Sequence, residues 1–285
     1  TINIKKNLKD FMKSILYKGA ETSYPASFSL LSQYKSNIDK QQKWPESILE
    51  HKNLYDKNKP LFIQGPPGSG KTYQGAIFLK NIIKNKEGTI CLVTSQSHKA
   101  IENILLYFKQ ISSDSRNIIF KYGGKANDKI LHLNGYDKLF SKLREARLNK
   151  NNLIIGLTVF SISKLRDFTY QDKKKPSDFL IIDEAGQYGL ANSVAAAMFT
   201  ENVILLGDQN QLPNVTQGSH PMGIENSVMS FCLGNNSIVG QEYGIFLPIT
   251  RRLHPKICSY ISDTFYQSQL KPHEDNKNRQ LIIRN

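Results

Sequence analysis

Residues 65–72 read Gly65-Pro66-Pro67-Gly68-Ser69-Gly70-Lys71-Thr72, directly after the apolar run Leu61-Phe62-Ile63. Gly65 and Gly70 bracket four residues, and a lysine and a hydroxyl follow. Such a loop wraps an anion. Its glycines let backbone N–H groups turn inward, Lys71 reaches the β- and γ-phosphates of a nucleotide, and Thr72 offers a hydroxyl to Mg²⁺. Two carboxylates close another apolar run, Phe179-Leu180-Ile181-Ile182-Asp183-Glu184. In a phosphate-loop nucleotidase the first, Asp183, holds Mg²⁺ through its water shell, and the second, Glu184, takes a proton from the attacking water. A third run, Val203 to Leu206, enters Gly207-Asp208-Gln209-Asn210-Gln211-Leu212-Pro213, where the Gln211 amide can bond both the γ-phosphate and that water. Thr250-Arg251-Arg252-Leu253-His254-Pro255 sets two guanidinium groups before a helix, and one of them can stabilise charge on a transferred phosphoryl. Read alone, Arg251 and Arg252 also fit a surface pair.

The elements that position these groups follow from periodicity. Ala76, Leu79, Ile82 and Ile83 recur at helical spacing, so the phosphate loop opens a helix. Strands are predicted over 89–94, 117–121, 153–157, 179–182, 203–206 and 246–249. Helices are predicted over 98–111, 136–148, 190–199, 222–231 and 255–266, the last with Ile257, Tyr260, Ile261 and Phe265 inward. Strands alternating with helices predict an α/β fold: a parallel sheet with helices on both faces and its ligands at the C-terminal strand ends. Residues 1–59 read as a mainly helical and loop segment, in which Tyr34 and Trp44 fit core anchors. Residues 60–270 form the nucleotide-binding domain, and 271–285 form a linker.

The chain has 285 residues, a net charge of +14 and a pI near 9.5. This favours a polyanionic partner, nucleic acid before membrane; a Lys- and Asn-rich proteome would give the same balance. No apolar run approaches membrane-spanning length, and no secretory signal opens the chain. Cys91, Cys232 and Cys258 are far apart and form no C-x-x-C, which fits a reducing cytoplasm or nucleus. Opening on Thr1 instead of Met, the sequence reads as a piece of a longer protein.

The ordered set GPPGSGKT, TSQSHKAIEN, DEAGQ, GDQNQLP and RLHP resembles superfamily 1 helicases, and most resembles their 1B branch. That branch includes the nonsense-mediated-decay RNA helicase and the replication helicase–nuclease. The match covers about residues 61–270. It implies a RecA-like P-loop NTPase domain, the first of two, and an ATP-driven 5′-to-3′ motor on single-stranded DNA or RNA. ATP and Mg²⁺ would be its cofactors. By this resemblance Lys71 and Thr72 bind phosphate and Mg²⁺. Asp183 and Glu184 are the metal carboxylate and the base. Gln187 and Gln211 couple the γ-phosphate to nucleic acid, and Arg252 touches the γ-phosphate. Thr94 and Ser95, just before His98, match the motif that holds the single-strand backbone; His98 also fits a plain helix-start residue. Gly156 and Thr158 match a further strand-contacting segment.

Three positions depart from the family pattern. Its adenine-stacking tyrosine is Arg251 here, whose planar guanidinium can also stack. The second proline of GDxxQLPP is Asn214. The adenine-reading glutamine upstream has only Gln42 as a counterpart. The second RecA-like domain is expected beyond Leu270 but too few residues remain to build it, so this chain alone is expected to hydrolyse ATP weakly and to unwind nothing.

Residues 121–175 hold 13 Lys and Arg against 5 Asp and Glu, ending in Lys173-Lys174-Lys175. The stretch fits an inserted subdomain with a phosphate track, or equally a solvated face. Tyr122, Tyr136 and Phe140 fit burial better than base stacking. A rival to the motor is a P-loop ATPase used as a signalling or defence switch without unwinding.

Overall fold

Side chains alternate across a strand, so an apolar run with no polar break must be covered on both faces. The computed structural model, which describes residues 60–85, 87–112, 114–125, 128–168, 175–213, 225–234, 236–240 and 244–279, shows that cover. The strands are β1 (Leu61–Gln64), β2 (Ile90–Thr94), β3 (Asn117–Tyr122), β4 (Leu131–Leu133), β5 (Asn152–Gly156), β6 (Ser177–Asp183), β7 (Thr200–Gly207) and β8 (Gly244–Phe246). They form one sheet in the order β4-β3-β5-β2-β6-β7-β1-β8, parallel at every pairing. A second pair, β9 (Ile249–Thr250) with β10 (Lys271–Pro272), is also parallel.

Helices α1 (Lys71–Asn85) and α2 (His98–Ile111) cover one face, packing Phe78, Leu79, Ile104 and Phe108 on Ile63, Cys91 and Val93. The opposite face carries α3 (Tyr136–Asn149), α5 (Leu190–Ala197) and α6 (Val228–Leu233). Their Leu139, Leu190 and Met229 share a core with Phe62, Leu92 and Leu180. Two short or terminal helices remain, α4 (Val159–Ser163) after β5 and α7 (Pro255–Phe265) after β9. The Ser97 hydroxyl accepts from the Ala100 amide and starts α2. Because all eight strands point the same way, the ends of β1, β6 and β7 lie side by side at one edge. β1 sits between β7 and β8, and the crevice at that reversal receives the phosphate loop.

Several expectations change. The run over 246–249 divides into β8 and β9, and β4 is an additional strand. Helix α7 is rotated from the expected face. It buries Cys258 and Ser262 and packs Ile261, as expected, against the core, while Ile257 (55% exposed), Tyr260 (69%) and Phe265 (43%) face out. The cause is the returning chain: the Leu270 amide donates to the Ser262 hydroxyl at 2.9 Å, and Leu270 packs where only small side chains leave room. The basic stretch 121–175 is built into the main sheet as β4, α3, β5 and α4 instead of forming an inserted subdomain. Tyr122 and Tyr136 stack on each other at 5.5 Å, and Phe140 meets Phe168 at 5.6 Å, so these rings serve packing. The helical segments read within 1–59, with Tyr34, Gln42 and Trp44, lie outside the described residues, as do Lys173, Lys174 and Asn214.

Lys121 leaves the candidate phosphate track altogether. It is 2% exposed, paired with Glu102 of α2, and donates to the Lys125 carbonyl at 3.2 Å. A buried ammonium stripped of its counter-charge is costly. Glu102→Gln is therefore expected to lower unfolding stability by about 3 kcal/mol, read from the urea midpoint, whereas a surface pair would give under about 1 kcal/mol.

Candidate active site

The phosphate loop leaves β1 at Gln64 and enters α1 at Lys71. Gly68 has φ +78°, and a Cβ there would sit 2.3 Å from the Arg252 Cβ, so only glycine fits this turn. The reason for the closeness is the segment Thr250-Arg251-Arg252, which lies on the loop. The Arg251 amide donates to the Gly68 carbonyl at 2.8 Å, and the Thr250 hydroxyl donates to the Pro67 carbonyl at 2.7 Å. The Gly65 amide donates to the Gly207 carbonyl at 2.8 Å and ties the loop to the end of β7.

Asp183, at the end of β6, is 1% exposed. It accepts from the Thr72 hydroxyl at 3.0 Å and from the Glu184 amide at 2.9 Å. Burial pushes its carboxyl up to about 6 from the ordinary 3.8; the neighbouring Lys71 ammonium pulls the other way, and Glu184 adds to the rise. Glu184 itself forms an ion pair with Lys71 at 3.1 Å. Its backbone has φ +57°, a left-handed conformation that non-glycine residues adopt at some cost and that clusters at functional sites. Gly186 and Gly207 lock this strand-end turn. A Cβ on Gly186 would stand 2.1 Å from the Asp208 carbonyl, and one on Gly207 would stand 2.5 Å from the Gly186 nitrogen.

The donors that converge here are a hydroxyl and one carboxylate, both hard oxygens, which fit Mg²⁺ that keeps waters and phosphate oxygens in its shell. Among the described residues, no group of three or more His, Cys, Asp or Glu is placed to hold a metal unaided.

Gln211 does not stand alone. Its side-chain amide donates to Asp208 at 3.0 Å. Asp208 is 2% exposed and takes three further donors: the Gln64 amide at 3.2 Å, the Asn210 backbone at 3.2 Å and the Tyr266 phenol at 2.7 Å. Burial first, and then the Asp208 charge, raise the Tyr266 phenol far above its ordinary value. Gln64 also accepts from the Val239 amide at 2.8 Å. One carboxylate thus ties β1, the loop after β7 and the end of α7 together. Asp208 and Tyr266 carry no mark of a role in the sequence alone; the one signal that could have found Asp208 is its place immediately after a buried strand, three residues before Gln211.

The residues expected to touch nucleic acid are less gathered. Thr94 is fully buried, and its hydroxyl lies 3.2 Å from the buried Tyr188 phenol, so it braces the interior instead of facing a groove. Ser95 is 4% exposed, with no hydrogen-bond partner for its hydroxyl among the described residues. His98 is exposed in the first turn of α2, against Gly124. Thr158 precedes α4, half-buried, 3.2 Å from the Ser161 hydroxyl. Gly156 is a packing glycine: a Cβ there would stand 2.4 Å from Ile101. Lys175 belongs to the opposite end of the sheet, where its ammonium donates to the Thr200 carbonyl at 2.7 Å, so it cannot share a strand path with Ser95 and Thr158. A link does join the two regions: the Gln96 side chain donates to the Gln187 carbonyl at 2.7 Å.

Fold and site together define a RecA-like P-loop nucleotidase domain of the superfamily 1 helicase type. The chain belongs to the family described as "Type III restriction enzyme, res subunit", whose model matches residues 35–207. It is similar to "DNA replication ATP-dependent helicase/nuclease DNA2" of Saccharomyces cerevisiae, 24% identical over 217 residues, 73% of this chain and 13% of that protein. The Homo sapiens protein of the same description is 26% identical over 245 residues, 81% of this chain and 21% of that protein. The chain thus spans about a fifth or less of these relatives. Among solved structures it is similar to an arterivirus nonstructural protein 10 (helicase) in complex with DNA, with a TM-score of 0.46 and 15% identity, covering 75% of this chain and 42% of that one.

Two outcomes follow from the geometry. Asp183 binds its proton more tightly in the folded protein than in the unfolded one, so its ionisation opposes folding, absent below about pH 4 and full above about pH 6. Asp183→Asn is expected to stabilise the metal- and nucleotide-free protein at pH 7 by up to about 3 kcal/mol, with the gain fading as pH falls to 4; a pH-independent change in melting temperature would refute this. Tyr266→Phe, which removes a donor to the buried Asp208, is expected to cost about 1.5–3 kcal/mol in chemical denaturation.

Proposed function

We propose that this chain is the first RecA-like domain of an ATP-dependent helicase or translocase that moves 5′ to 3′ on single-stranded nucleic acid, DNA in the first instance. A second RecA-like domain of the whole protein would complete the ATP cleft. The observation that carries the reading is the convergence of Lys71 and Thr72, at the start of α1, with Asp183 and Glu184, at the end of β6, 3.0–3.1 Å apart in pairs. Similarity to DNA replication helicase/nucleases favours DNA, and a reducing nuclear or cytoplasmic setting fits three free cysteines.

Lys71 and the loop amides would bind the β- and γ-phosphates. Thr72 and Asp183 would hold Mg²⁺, which supplies charge neutralisation at the phosphates when bound. Glu184 would take the proton of the attacking water. While Lys71 is paired with Glu184, neither is available for its task. An arriving γ-phosphate competes for Lys71 and so releases the carboxylate to act as a base. Gln211, held by Asp208, would position the water, and Arg252, held over the loop by its neighbour's bond to Gly68, would meet the γ-phosphate. Closure on ATP would reach the strand site through Gln187–Gln96 and Tyr188–Thr94.

The test is ATP hydrolysis by the whole protein with and without single-stranded DNA or RNA. Stimulation of tenfold or more is expected, with Lys71→Ala and Glu184→Gln each reducing turnover at least a hundredfold. Hydrolysis indifferent to nucleic acid would favour the rival reading, a nucleotide switch that does not unwind.

A further inference from the structure

Helix α7 carries its larger apolar side chains on the outside. At helical spacing Ile257, Tyr260 and Phe265 fall on one stripe, with the half-buried Ile261 between them. No charged residue shares that stripe; Lys256 and Asp263 stand on another side of the helix. The buried face is filled by the small Cys258 and Ser262. A helix that keeps small residues against its own domain and turns isoleucine, tyrosine and phenylalanine outward has its main apolar partner elsewhere. The apolar surface continues past the helix. The Asn210 side chain donates to the Phe265 carbonyl at 2.9 Å, which brings the loop after β7, with Leu212 at 84% exposure, to the end of α7.

We propose that this stripe is the seat of the polypeptide that follows residue 285 in the whole protein. The inference takes from the reading above only that the chain continues there. Three observations choose this occupant. A nucleic-acid strand gains little from a stripe that bears no cation to meet its phosphates. The chain also leaves the fold close by: after β10 it returns to Arg279, whose guanidinium donates to the Arg251 carbonyl at 2.7 Å, just ahead of the first residue of α7. Six further residues reach Asn285. An extended stretch of that length spans up to about 20 Å, more than the roughly 16 Å of a helix as long as α7. Size decides against a second copy. Ile257, Tyr260, Phe265 and Leu212 together expose roughly 500 Å², below the about 800 Å² per partner of stable interfaces between separate molecules. A tethered segment needs less, because a short connection holds it at an effective concentration of about millimolar. The seat also meets the nucleotide site at both ends, through the Arg251 amide on the Gly68 carbonyl and through Asn210 beside Gln211, so its occupant is joined mechanically to the phosphate loop.

The experiment is photo-crosslinking within the whole protein, without nucleotide or nucleic acid, in Tyr260→p-benzoylphenylalanine and, for comparison, Leu148→p-benzoylphenylalanine, a position 83% exposed on α3. Expected is a product of one chain's mass that joins position 260 to a peptide beyond residue 285, at ten times or more the yield from position 148. Hydroxyl-radical oxidation of the unaltered whole protein is the second measurement, with Tyr260 expected to react at least tenfold more slowly than free tyrosine. A product of twice the chain mass would give the seat to a second copy, and a peptide from residues 1–59 would give it to the start of the chain; either overturns the proposal. So does a yield from position 260 no greater than from position 148, or Tyr260 oxidised within threefold of free tyrosine, since the face would then be bare. None of these results touches the ATPase reading, which hydrolysis by the whole protein decides by itself.

Discussion

A carboxylate taken out of water with no full positive charge bonded to it is the constraint on which the site turns. Asp183 has a hydroxyl and an amide as its hydrogen-bond partners, while the nearby ammonium of Lys71 is engaged with Glu184. Burial therefore pulls upward on its proton, since little in its surroundings favours the charged form. Keeping such a group buried demands rigid surroundings. Four strands of apolar side chains, β2, β6, β7 and β1, sit under it, and Gly186 and Gly207 admit no side chain that could relax the turn. Stability is given up at one atom and recovered across the sheet, the pattern expected where function and folding compete.

Asp208 solves the same problem in the opposite way. It too is buried, but four donors surround it. A satisfied carboxylate is inert and serves as a fastener. Because its donors come from β1, from the loop after β7 and from the end of α7, a movement of any one of them alters the position of Gln211. Buried polar networks of this sort have few arrangements of comparable energy, which suits a relay with two discrete states better than a graded one.

The sequence made the strand ends legible because two local signals coincided there: a continuous apolar run, and polar residues of special type immediately after it. Lys71, Thr72, Asp183 and Glu184 were found that way, and their convergence follows from parallel strands alone. What was not legible depended on tertiary partners. Nothing local says that Thr94 turns its hydroxyl to Tyr188, 94 residues away. The apolar positions of α7 mark Ile257 and Tyr260 as inward, but the return of Leu270 over Cys258 and Ser262 decides the face. Lys121 counts as a surface charge in any composition, and only its pairing with Glu102 explains its burial.

The Lys71–Glu184 pair gives the site its logic without nucleotide. Glu184 is 34% exposed in its side chain and Lys71 only 13%, so the carboxylate is the member of the pair nearer to solvent. An ion pair so placed is of modest strength, well below what a polyphosphate with its several charges offers the same ammonium. The left-handed backbone at Glu184 and its amide bond to Asp183 hold the two carboxylates as neighbours at the strand end whichever partner Lys71 holds. If Lys71 takes the triphosphate and Glu184 is the base, as proposed, recognition of the triphosphate and release of the base are one event, and water would not be activated before the phosphate that must receive it has arrived.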